Sequence, residues 1–141
     1  MEILLVEDNL IDAKLAIAAL KKGEIKHRLT LIRDGEEALE FLQQRGKFAR
    51  APRPDLILLD LLLPRINGRE LLHQLKQDEK LQSIPVVVLT ASDIEDDRID
   101  CEHHHVDSFM TKPVNLDKFL DVVRQLKRYW LEADVILPHV D

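Results

Sequence analysis

Five polar residues stand where short apolar runs end. Glu7 and Asp8 follow Ile3–Val6, Asp60 follows Leu56–Leu59, Thr90 follows Val86–Leu89, and Lys112 closes the weaker run near Val106–Met110. A lone carboxylate inside such a run is costly if buried without a partner, so Asp60 calls for a reason. Glu7, Asp8 and Asp60 together would be three crowded carboxylates, each raising the pKa of the others, and a divalent cation relieves that crowding. Oxygen-only ligands select a hard ion, and Mg²⁺ takes few carboxylates plus waters and phosphate. Lys112 offers a point charge to a phosphate oxygen, and Thr90 offers a hydroxyl donor to the same group. A carboxylate nucleophile flanked by Mg²⁺, a lysine and a hydroxyl is the set that phosphoryl transfer to an aspartate requires.

These residues need strands to position them. The runs Ile3–Val6, Leu29–Ile32, Leu56–Leu59, Val86–Leu89 and Val106–Met110 lack polar alternation and read as strands covered on both faces. Amphipathic stretches separate them. Ala13, Ala16, Ile17 and Leu20 follow a helical stripe that Gly23 should stop, and Leu116, Phe119, Leu120 and Val123 trace another, with Asn115 as its N-cap. Further helices are expected near Glu36–Gln44, Gly68–Gln77 and Asp93–Glu102, the last very polar. Five βα units in a row imply an α/β fold, a parallel sheet with helices on both faces. In such a sheet ligands bind outside the carboxyl ends of the strands, so the five polar residues can share one crevice. The segment 44–55, QRGKFARAPRPD, is basic and proline-rich and reads as a surface loop.

Composition narrows the classes. A chain of 141 residues, 45% hydrophobic and 33% charged, suits one globular domain and not a disordered segment. The net charge of -6 and the lack of a basic run interleaved with aromatics argue against nucleic-acid binding. No apolar run approaches the ~20 residues of a membrane span. The N-terminus MEILLVEDN has no basic region ahead of its apolar stretch, as a signal peptide would. A lone cysteine, Cys101, allows no internal disulfide and agrees with a reducing compartment. The expected location is the cytoplasm.

The motifs VEDN (6–9), LLDLLLP…NG (58–68), VLTAS (88–92) and TKP (111–113) resemble the receiver domains of two-component response regulators, over about Met1 to Lys127. The resemblance implies a flavodoxin-like, CheY-like doubly wound domain with strand order 2-1-3-4-5, spanning residues 1–128 and followed by an extension at 129–141. It implies that Asp60 accepts a phosphoryl group from a histidine kinase. Glu7, Asp8, Asp60 and the backbone carbonyl of Leu62 would hold Mg²⁺. Thr90 would be the switch hydroxyl, Lys112 the phosphate-binding lysine, Phe109 the switch aromatic, and Lys112–Pro113 a cis peptide. The extended basic loop, the DLLLP…GRELL segment and the RYWLEADVILP tail further resemble the stand-alone response regulators of cyanobacterial phytochromes, which implies a phytochrome-type kinase as partner and a homodimer. No DNA-binding output domain is expected after the receiver. Leu62 is apolar where some receivers carry Asn, so it cannot orient a hydrolytic water. Slow loss of phosphate is expected, and a half-life that barely shortens in Leu62→Asn would count against it.

Other residues have plainer readings. Three successive histidines, His103–His105, cannot all face one ion on a regular element and fit a solvated turn. Nothing near Cys101 lowers a thiol pKa. The acidic group Asp93, Glu95, Asp96 and Asp97 fits a solvated helix face. Tyr129, Trp130, Leu131, Val135, Ile136 and Leu137 either fold back on the body or form an interface; since five helices already cover the sheet, a homodimer interface is favoured. Two competing functions remain. A phosphorylation-independent interaction module has no physical need for the intact carboxylate, hydroxyl and lysine set. A Mg²⁺-dependent phosphatase with an aspartate nucleophile needs an acid/base carboxylate at position 62, where this chain has Leu62.

Overall fold

The computed structural model describes residues 1–22, 27–61, 63, 65, 68–90, 108–111 and 117–118. In chain order these form β1 (Glu2–Val6), α1 (Leu10–Lys22), β2 (Arg28–Ile32), α2 (Gly35–Leu42), a 3₁₀ turn (Gly46–Phe48), β3 (Leu56–Asp60), α3 (Gly68–Gln77), β4 (Val86–Thr90) and β5 (Ser108–Thr111). The strands are parallel and ordered β2-β1-β3-β4-β5, the doubly wound order that the receiver resemblance implies. The expected fourth helix, Asp93–Glu102, lies outside the described residues. Of the expected fifth, only Asp117 and Lys118 are described, and both are helical.

The apolar runs become central strands because alternate side chains meet a helix layer on each side. Leu4, Val6, Ile57, Leu59, Val86 and Val88 pack with α2 and α3, against Ala38, Phe41, Leu42, Leu71, Leu72 and Leu75. Ile3, Leu5, Leu56, Leu58, Val87 and Leu89 pack on the other face, against Ala13, Ala16 and Leu20 of α1. Each such leucine or valine, buried outright, contributes roughly 1.5–3 kcal/mol relative to exposure. Strand β2 departs from the expectation of full cover. It is the sheet edge, and Leu29, Thr30 and Leu31 are only half-buried.

Local signals set the helix ends. Asn9 Oδ1 accepts from the backbone of Ile11 and Asp12 at 3.0 and 3.1 Å, which starts α1. Asp34 Oδ1 accepts from Glu37 N at 2.7 Å and caps α2. The end of α2 falls short of the expected Gln44. Gln44 has a left-handed φ of 55°, its N–H bonds Phe41 O, and Arg45 N–H bonds Glu40 O. That pair of bonds is a Schellman stop, here built on a glutamine where glycine is usual. The basic segment beyond is more ordered than a bare surface loop. Phe48 sits edge-on to Phe41, with ring centroids 5.4 Å apart, Ala51 packs against the core, and Pro54 is buried. No helix among the described residues is long and apolar enough to cross a membrane.

Candidate functional site at the carboxyl ends of β1, β3 and β4

The strand order reverses between β1 and β3, because β1 leads outward to β2 and β3 returns on its other side. A crevice at that point is where a doubly wound sheet binds its ligands. Register sets what meets there. Val6 pairs Leu59, so Glu7 and Asp60 stand level at adjacent strand ends; Asp60 pairs Leu89, which puts Thr90 one step further along β4. Thr90 in turn pairs Thr111, the residue before Lys112.

Among the described residues, Glu7 and Asp60 are the buried charged groups, 1% and 6% exposed. Glu7 is tied down by backbone. Its N–H donates to Ile32 O, and its Oε1 accepts from Asn9 N at 3.0 Å. Asp8 turns outward and is half exposed, with Arg33 Nη2 3.7 Å from its Oδ1 and 3.3 Å from its backbone oxygen. Glu7, Asp8 and Asp60 are thus less crowded than their strand-end positions suggest; among the described residues no three acidic, His or Cys side chains converge as a metal-holding group. The donor chemistry still fits a hard divalent ion. Two buried carboxylates and one hydrated carboxylate leave positions for water, which Mg²⁺ retains when protein-bound.

Below Asp60 the chain passes through 61–67 into α3. Gly68 N donates to Leu61 O at 2.9 Å, so the helix starts directly against the strand end. A methyl group on Gly68 would fall 2.5 Å from Leu61 Cα and against the Asp60 carbonyl. Arg65, at φ 64°, reaches Glu36 of α2 with 3.6 Å between charged atoms. Leu62, Lys112, Pro113 and the tail residues Tyr129, Trp130, Leu131, Val135, Ile136 and Leu137 lie outside the described residues. Phe109 lies on β5 with its backbone opposite Val88.

Sequence reading missed three residues here. Arg33 follows the apolar run of β2, so the strand-end rule that selected Glu7 and Asp60 would have selected it too. Asn9 holds both Glu7 and the start of α1, a role visible as a polar N-cap before the helical stripe. Gly68 was read as the first residue of a helix, with no role beside Asp60; its close approach to Asp60 depends on how tightly α3 packs, which no local pattern records.

Residues 3–124 match the family model for the response regulator receiver domain. The chain belongs to that family. As a receiver domain it works in phosphorylation-based two-component signalling. It is 48% identical to response regulator Rcp1 of Synechocystis sp. over 96% of this chain and 92% of that protein. The crystal structure of the Mn²⁺-bound form of Rcp1 superposes with a TM-score of 0.77 at 47% identity, covering 98% of this receiver and 99% of that chain. The phosphorylated cyanobacterial phytochrome response regulator RcpA superposes at 0.78 with 43% identity, covering 98% of both chains.

Proposed function

We propose that this receiver takes a phosphoryl group onto Asp60 from the phosphohistidine of a phytochrome-type histidine kinase, with Mg²⁺ in the site. The observation that carries the proposal is the level placement of Asp60 and Glu7, two buried carboxylates at adjacent strand ends, where the strand order reverses. A carboxylate Oδ of Asp60 attacks phosphorus. The O–P bond forms as the P–N bond to the kinase imidazole breaks, and the imidazole keeps the electron pair and gains a proton. Glu7, Asp8, Asp60 and the carbonyl of Leu62 are the groups that would hold the metal. Bound there, it neutralises charge on the transferring oxygens. Thr90 and Lys112 receive the same oxygens, a hydroxyl donor and a point charge. Their movement toward the phosphate shifts the loop after β4 and the ring of Phe109, which biases two packings of the neighbouring surface. The chain thus promotes its own phosphorylation but turns over no substrate.

The resemblance of the tail to phytochrome response regulators, and the likeness to RcpA, support a phytochrome kinase as donor; the six large apolar residues of the tail support a homodimer, and the lone cysteine agrees with the cytoplasm. In this reading residues 1–128 are the receiver, and Tyr129, Trp130, Leu131, Val135, Ile136 and Leu137 line the contact between copies. Intact mass after incubation with Mg²⁺ and acetyl phosphate tests the chemistry. One labile phosphoryl group is expected, absent in Asp60→Asn and with chelator. A gain that survives Asp60→Asn would remove Asp60 from its role. Light scattering on the chain cut after Lys127 tests the tail: the mass should fall to that of one copy, and an unchanged assembly would exclude the tail.

A further inference from the structure

At the end of the sheet opposite Asp60, the connection from α2 to β3 is basic. The segment between Phe41 and Pro54 carries Arg45, Lys47, Arg50 and Arg53 and no acid. It leads into the start of β3, and the α3–β4 connection with Lys80 leads into the start of β4, so both lie at the amino ends of parallel strands. Five residues of strand, about 16 Å, separate them from the phosphorylation site. Between the two connections lies a cleft of about 520 Å³ lined by Leu42, Gln44, Arg53, Asp78, Lys80 and Leu81. That volume is within the range of ligand-binding clefts, roughly 300–1,000 Å³.

The cleft is mixed in chemistry and held in shape: Arg53 and Lys80 outnumber its one acidic lining residue, Asp78, whose Oδ1 accepts from Lys80 N at 2.8 Å. Leu42 and Leu81 are both buried and give it an apolar component. Arg53 Nη2 donates to Lys80 O and to Ser83 Oγ, both at 3.0 Å, which fixes the guanidinium across the two connections. Its Nη1 and Nε make no bond among the described residues. Gln44 Nε2 donates to Ala51 O at 2.7 Å and locks the loop wall. A fixed guanidinium with two donors in hand suits a carboxylate, which it binds bidentately. Nucleic acid fits poorly. The net charge is -6, and the ring of Phe48 is edge-on to Phe41 with Lys47 Nζ over it at 5.1 Å.

We propose that this cleft is a second docking site, for an acidic peptide segment of a partner protein that carries one large apolar residue beside its carboxylates. Carboxylates pair with Arg53 and Lys80, and the apolar side chain enters against Leu42 and Leu81. Because the cleft is at the far end of the sheet, a partner seated there leaves Asp60 open to its phosphoryl donor.

Panning random phage-displayed peptides against the full chain tests this. Enriched sequences should combine Asp or Glu with a neighbouring large apolar residue. Their synthetic versions should bind about tenfold more weakly to Arg53→Glu and to Lys80→Glu, each substitution inverting one contact charge. Lys80→Glu keeps the backbone carbonyl that anchors Arg53, and an unchanged melting curve identifies it as folded. Failure to enrich any such sequence would overturn the proposal, as would equal binding to wild type and Lys80→Glu. Competition by polyglutamate or a single-stranded oligonucleotide as strong as by the peptide would also overturn it, since charge alone would then account for binding.

Discussion

The two ends of the sheet are built on opposite plans. At the carboxyl end, chemistry is presented by strand-end side chains, and the backbone beneath them is packed without slack: Glu7 is held through Asn9 and Ile32, and Gly68 presses α3 against Asp60. At the amino end the work is done by a connection. Helix α2 stops on a left-handed Gln44, a 3₁₀ turn carries Phe48 back onto the core, and a glutamine and an arginine pin the loop by side-chain bonds to backbone oxygens. A site that must bind charge inside the molecule needs rigid backbone behind it, because an imperfectly held buried carboxylate loses the partners that make burial tolerable. A loop at the surface tolerates mild strain, since water meets whatever the fold leaves unmet.

The sharpest way to break this comparison is Gly68→Ala. The added methyl meets the backbone of Asp60 and Leu61, which cannot step aside as a side-chain end could. Urea unfolding should show a loss of about 3 kcal/mol, at the upper end of overpacking costs. Phosphorylation by acetyl phosphate should fall with it, because the strand end that presents Asp60 must move. A loss under about 1 kcal/mol with intact phosphorylation would mean that α3 slides freely, and that the carboxyl end is no more constrained than the loop.

At the amino end the corresponding residue is Gln44, and two substitutions there pull in different directions. Gln44→Ala keeps the left-handed strain and loses the bond to Ala51 O, so it should destabilise by about 1 kcal/mol. Gln44→Gly loses the same bond but removes a strain of roughly 1 kcal/mol, so it should be nearly neutral. Thermal melts of both variants decide it. If Ala and Gly cost the same, the backbone at 44 carries no strain and the loop is as relaxed as its composition makes it look.

Legibility in the sequence follows the same division. Leu56–Leu59 and Val86–Leu89 read directly as buried strands, because their apolar runs meet helices on both faces and nothing else competes for them. Helix α3 was expected over Gly68–Gln77 and spans those residues. Glu7 and Asp60 were found by one rule, polar residues closing apolar runs, and both are at the expected strand ends. What escaped is what depends on packing between distant segments. The bond from Arg33 to Asp8 links strands through an edge whose exposure the run Leu29–Ile32 does not announce. The early stop of α2 escaped because Gln43 and Gln44 are good helix formers, and the Schellman bonds to Glu40 and Phe41 override their propensity. The inward turn of Phe48 escaped because proline and arginine around it signal a loop and say nothing of which side chain the loop returns to the core.

The smallest effect expected at the amino end concerns Lys47. Its ammonium lies 2.9 Å from Glu37 Oε1, and that bond, with the attraction of the same carboxylate, holds its pKa above the ordinary value of 10.5. A raised lysine pKa means the folded state binds its proton more tightly than the unfolded chain does. The contribution is therefore fully present below pH 10.5 and is lost as pH climbs through the folded pKa. Lys47→Met should accordingly show a slightly lower urea midpoint than wild type at neutral pH, and the two midpoints should converge only in strongly alkaline buffer. The lysine side chain is largely exposed, so solvent screens the pair and added salt should shrink the neutral-pH difference. If the difference survives both high salt and deprotonation, uncharged packing of the Lys47 side chain, whose Nζ lies 5.1 Å from the Phe48 ring centroid, is the source, and the loop is held by packing instead of by charge.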